Sequence, residues 1–134
     1  MPNLSETRRD IETYIFTNIV TIPVVFDNVK QDVSGFDEYA FTNIQFVDST
    51  NVNLGAVLNK RIRHTGTIVF KVYTPIDQGT NRGFVLMDEI KSELENKYIS
   101  NNLLTYAAEP TREGVGKEGY FAYFLRIPFT SDEC

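Results

Sequence analysis

The stretch RIRHTGTIVFKVY, residues 61–73, constrains this chain more than any other. Ile62, Ile68, Phe70 and Val72 share one parity, while Arg61, Arg63, Thr65, Thr67 and Lys71 hold the other. Alternation with a period of two describes a strand in a sheet with one dry face and one wet face. His64 lies on the dry parity, at the edge of the core or in a subunit contact. Gly66 lies there too, where a missing side chain marks a bulge or the close approach of another element. A second alternating stretch, YFAYFLRIPF at 120–129, puts Phe121, Tyr123, Leu125, Ile127 and Phe129 on one parity. Ala122, Phe124 and Arg126 take the other parity, so this strand is partly apolar on both sides. That pattern fits a strand that meets a helix on one side and another chain on the other.

Two segments have helical periodicity instead. From about Ser5 to Asn18, Leu4, Ile11, Ile15 and Ile19 recur as one stripe with Tyr14 beside them. Asn3 or Ser5 can cap this helix, Glu6 stands where a capping box needs it, and Pro23 stops it by disfavouring helical geometry at Ile22. From Arg82 to Tyr98, Leu86, Met87, Ile90, Leu94 and Tyr98 gather on one side with Gly83 at the centre, where a sheet can come close. Val85 points the other way, among Glu89, Ser92 and Asn96. Shorter strands are expected at 24–29, 39–49 and 102–109, with turn chemistry around Gly35 and a loop or extended hairpin at 50–60. The order predicts one α+β domain over 1–134, a mainly antiparallel sheet of about five to six strands with both helices on one face. The last few residues are expected to be flexible.

Composition narrows the function. With 18 acidic residues against 13 basic ones the net charge is −5, a poor endowment for gripping nucleic acid, whose affinity depends on cations displacing counterions. Cys134 is the one cysteine, which excludes an intramolecular disulfide and fits a reducing compartment. The sequence carries no signal-peptide pattern and no long apolar run, so a soluble cytoplasmic product with no membrane partner is expected.

The chemical motifs fail on inspection. Gly114, Gly116 and Gly119 have G-x-G-x-x-G spacing, yet they open into a strand instead of the helix whose N-terminus would hold a pyrophosphate. They read as a hairpin connection. Gly79 and Gly83 are wrongly spaced for a phosphate-binding loop, and no lysine follows them as one requires. His64 is the sole histidine, without ligand-spaced partners for a metal and without a G-x-S-x-G elbow elsewhere. Asp88, Glu89, Glu93 and Glu95 are interspersed with Lys91 and Lys97, as on a solvated helix face. No catalytic, cofactor-binding or metal-binding residue is therefore assigned, and a non-enzymatic role is expected.

The strand GTIVFKVYTP, a short glycine loop, the helix GFVLMDEIKSEL and the final GYFAYFLRIPF resemble the tail terminator (tail completion) proteins of long-tailed bacteriophages. The matching positions are Gly66, Phe70, Val72, Tyr73 and Pro75, then Gly79, then Leu86, Asp88 and Ile90, and finally Tyr120, Ile127, Pro128 and Phe129. A leading helix also fits, whereas the STNVNLGAVLNK loop is poorly matched. The resemblance implies an α+β protein without catalytic residues that forms a hexameric ring in the virion. Such a ring would cap the tail tube, stop its growth and join it to the head connector. Its partners would be its own copies, the tail tube protein and a neck protein, with DNA passing through unbound. Net acidity suits that passage, because a negative lumen repels phosphate. Arg61, Arg63, His64, Val85 and Phe124 are the candidate subunit or partner contacts. The alternative from another class is a small α+β ligand-binding or regulatory adaptor module.

Overall fold

The computed structural model describes residues 4–26, 38–51, 62–75, 81–100, 102–115 and 120–133. Along the chain these form α1 (Leu4–Asn18), β1 (Val24–Phe26), β2 (Tyr39–Asn51), β3 (Ile62–Pro75), α2 (Asn81–Leu94), β4 (Tyr98–Ser100), β5 (Leu103–Thr105), β6 (Glu109–Val115) and β7 (Tyr120–Glu133). The two strongly alternating stretches pair with each other. β3 and β7 run antiparallel along their whole length, from Ile62 opposite Glu133 to Pro75 opposite Tyr120. That register sets Ile68 beside Ile127, Phe70 beside Leu125 and Val72 beside Tyr123, so two dry parities merge into one apolar face. All six of these side chains are fully buried. Burying a side chain of this size contributes about 1.5–3 kcal/mol, so the pairing supplies much of the core.

The described sheet has seven strands in the order β1-β2-β3-β7-β5-β4, with β6 also on β7, and the fold is α+β. The sheet is mixed, however, not purely antiparallel, because β1 runs parallel to β2 with Val24 beside Ala40. Twelve residues, 27–38, connect these strands, and that length lets a chain return to the same end of a sheet. Residues 27–29, expected to continue β1, and the turn around Gly35 lie outside the described residues.

Both helices lie against the apolar face. Ile11 and Ile15 of α1, with Ile19 and Ile22 after it, join Leu86, Met87, Ile90 and Leu94 of α2 over Phe70, Leu125 and Phe129. Leu4 does not share the stripe and is 47% exposed. Thr7 occupies that line instead, buried with its hydroxyl 2.8 Å from that of Ser131 on β7. Tyr14 donates to the Glu93 carbonyl at 2.9 Å and ties one helix to the other.

Of the boundaries that differ from expectation, three have a visible tertiary reason. α2 ends at Leu94, not at Tyr98, which is 71% exposed and begins β4. The stop comes from Asn96, held at φ 53°, and from the buried Thr105 hydroxyl, which donates to the Leu94 carbonyl and accepts from the Lys97 amide at 2.8 Å. The strand expected at 102–109 divides into β5 and the start of β6. Both pair with β7, and between them the Ala108 amide turns to the Glu95 carboxylate at 2.9 Å. β7 continues past Phe129 to Glu133, where it stays paired with β3 as far as Ile62, Ser131 meets Thr7, and Arg63 holds Asp132 through two hydrogen bonds of 2.8 and 3.2 Å. The glycine stretch at 114–119 does join two paired strands, with Val115 opposite Phe121, and residues 116–119 lie outside the described residues.

Candidate functional site

The face turned away from α1 and α2 carries the second parity of the long strands. Tyr39, Phe41, Asn43 and Gln45 of β2 line it with Val69, Lys71 and Tyr73 of β3 and Phe124 and Arg126 of β7. The register makes them neighbours: Tyr39 lies opposite Tyr73, Phe41 opposite Lys71, Lys71 opposite Phe124 and Val69 opposite Arg126. Together they bound a trough of about 500 Å³. At one end Tyr39 and Tyr73 stack with ring centroids 4.7 Å apart, and Tyr120 stands edge-on to both at 5.4 and 6.0 Å. Ala122 lies opposite Tyr73, and Val25 joins from β1, giving a small second apolar cluster.

The electrostatics of the trough are cationic. Lys71 Nζ lies 5.0 Å from the centre of the Phe124 ring and 5.8 Å from that of Tyr73, while the Arg126 guanidinium lies 5.7 Å from Phe124. One aromatic ring thus serves two cations, a contact worth about 0.5–1 kcal/mol at exposed sites. Among the described residues no carboxylate lines the trough. Burial pushes the Tyr39 hydroxyl above the ordinary tyrosine range, with Tyr73 and Tyr120 adding to the rise and Lys71 opposing it. Asn43 Oδ1 is buried without a hydrogen-bond partner among the described residues. Rings, two cations and carboxamides offer a surface for anionic and aromatic groups.

The residues singled out from sequence meet different fates. Phe124 lies in the trough, half-buried between its cations. Arg63 is near the far end of β3, bonded to Asp132 of its own chain. His64 is 7% exposed, and its Nδ1 lies 2.7 Å from the Ser49 hydroxyl across the β2–β3 pair. Val85 is half-buried on α2, where the strongly exposed apolar residue is its neighbour Phe84. Arg61 lies outside the described residues. The structure does not bring the four described positions into one site. Lys71 lies on the wet parity of its strand and Arg126 on the parity of Phe124, so neither stands out before β3 and β7 pair. Their shared parity with Phe124 on paired strands was the signal. Among the described residues no three His, Cys, Asp or Glu side chains gather to hold a metal, and no described helix is long and apolar enough to cross a membrane.

No family model matches the chain, and no curated protein matches it. Solved structures do share its architecture. One superposes with a TM-score of 0.64 at 12% identity, covering 96% of this chain and 93% of the other, a likeness that shows the fold alone.

Proposed function

We propose that this chain is a non-catalytic structural protein of a phage virion. It forms a hexameric ring through contacts that close on themselves. In this reading the ring caps the tail tube, ends its polymerisation and provides the joint to the head connector. The protein is made in the host cytoplasm and ends in the virion near the neck.

One observation carries the proposal: the sheet has two differently finished faces. The face under α1 and α2 is sealed by buried apolar residues. The other presents a half-buried Phe124 between Lys71 and Arg126. Aromatic and arginine side chains on an open surface favour a protein neighbour. The net charge of −5 supports passage of DNA through the ring without adhesion.

Negative-stain imaging of the purified protein, with rescue of tail-length control in a phage lacking its terminator, tests this directly. Closed rings and rescue are expected. A protein that images only as single particles and fails to rescue would end the proposal.

The trough favours a second reading, a small-ligand or adaptor module, because about 500 Å³ falls within the range of small-molecule sites. Mass measured across concentrations separates the two: a stable monomer or dimer supports the second.

A further inference from the structure

We propose that the cationic trough of one protomer receives the Phe84–Asp88 flank of α2 from a second copy, so that copies join head to tail. This inference rests on the ring reading and deepens it by naming both sides of the contact.

The two surfaces are chemically complementary. Phe84 and Asp88 are four residues apart in α2 and therefore share a flank of the helix. Phe84 is 45% exposed although its ring meets Tyr123 at 5.6 Å, and Asp88 is exposed. Among the described residues neither Asp88 nor Arg126 has an ion-pair partner. The flank thus offers an aromatic ring and a carboxylate, and the trough offers the Phe124 ring flanked by two cations. Arg126, exposed in a trough lined by no carboxylate among the described residues, on a chain of charge −5, attracts the acidic surface of another copy and steers its approach.

Geometry excludes self-satisfaction. α2 packs on one face of the sheet and the trough opens on the other, so no protomer can fill its trough with its own α2. Two different surfaces on opposite sides make a heterologous contact, which closes into a ring when the rotation per step allows it.

Sedimentation of the full chain, wild type and charge-reversed, tests the pairing. Asp88→Arg and Arg126→Glu should each weaken assembly about tenfold or more, since like charges then face each other. Both positions are exposed, so each variant should still unfold cooperatively, with Arg126→Glu slightly below the wild type because it loses the Phe124 contact and faces Glu109 across the β6–β7 pair. The neutral forms Asp88→Asn and Arg126→Gln should shift assembly the same way, but less. Mixing the two reversed variants should restore assembly, because each then meets an opposite charge on both of its sides. If the wild type assembles and neither reversal weakens it, this pairing is wrong while the ring reading stands. Reversals that disrupt assembly without rescue on mixing also overturn the pairing. A wild type that stays monomeric at every concentration overturns the ring reading and this inference with it.

Discussion

Gly83 of α2 sits directly on the ring of Tyr123 in β7: a Cβ at position 83 would fall 2.1 Å from Cε2 of that ring. Tyr123 is fully buried and cannot swing aside, so the helix lies on the sheet only because residue 83 has no side chain. Gly83→Ala gains helix propensity of nearly 1 kcal/mol but forces the helix off the ring. The expected net result is a loss of about 1–3 kcal/mol, measured by urea unfolding. A neutral or stabilising outcome would show that the helix does not rest on Tyr123.

Gly66 performs the same service at the other end of β3. A Cβ there would lie 2.4 Å from the Gln45 carbonyl and 2.6 Å from Cζ of Phe129, next to the register shift between Phe46 and Asp48. Backbone cannot yield as a flexible side chain can. Gly66→Ala is expected to cost at least as much as Gly83→Ala, about 2–3 kcal/mol, with amide exchange in β2 accelerated around the bulge. Unchanged exchange there would contradict this packing.

The Thr7–Ser131 hydrogen bond is buried at both ends and joins α1 to β7. Thr7→Val preserves shape but leaves the Ser131 hydroxyl without its partner, an expected loss of about 1–3 kcal/mol. Replacing both, with Ser131→Ala added, should cost less than the single change, because no orphaned hydroxyl remains. Calorimetric unfolding of the three proteins gives the ordering, and a double variant weaker than Thr7→Val would refute it.

Tyr14 sets an alkaline limit on stability. Its hydroxyl is raised above the ordinary value of 10.0, first by burial and then by the nearby Glu93 carboxylate. A group whose folded pKa is raised contributes stability that is complete below the unfolded value and lost as pH climbs through the folded one. Unfolding free energy should therefore fall as pH rises above 10, and Tyr14→Phe should flatten that fall while leaving neutral-pH stability lower by about 1 kcal/mol, the hydrogen bond to the Glu93 carbonyl. Identical alkaline slopes for the two proteins would remove Tyr14 as the cause.

Much of the fold is legible from residue types alone. The parity of 62–72 and of 121–129 names the buried face, and Gly66 and Gly83 announce the close approaches that the structure contains. Other features depend on residues far along the chain. α2 stops at Leu94 because Thr105, eleven positions later, bonds its last carbonyl. The break between β5 and β6 exists because Glu95 takes the Ala108 amide. Leu4 has the right residue type for the α1 stripe but is left exposed, and Thr7 finds Ser131 instead.

The candidate site divides the same way. Phe124 was visible as an apolar residue on the wrong parity, yet its companions Lys71 and Arg126 became meaningful only once the β3–β7 register set Lys71 opposite it. What the sequence by itself determined is each element's period and therefore which side chains share a face, since period is a local property of the backbone. Only the tertiary structure decided that β1 runs parallel to β2 and that two cations converge on one ring. Strand direction and cross-strand neighbours are chosen by contacts between distant segments, and no local pattern carries them.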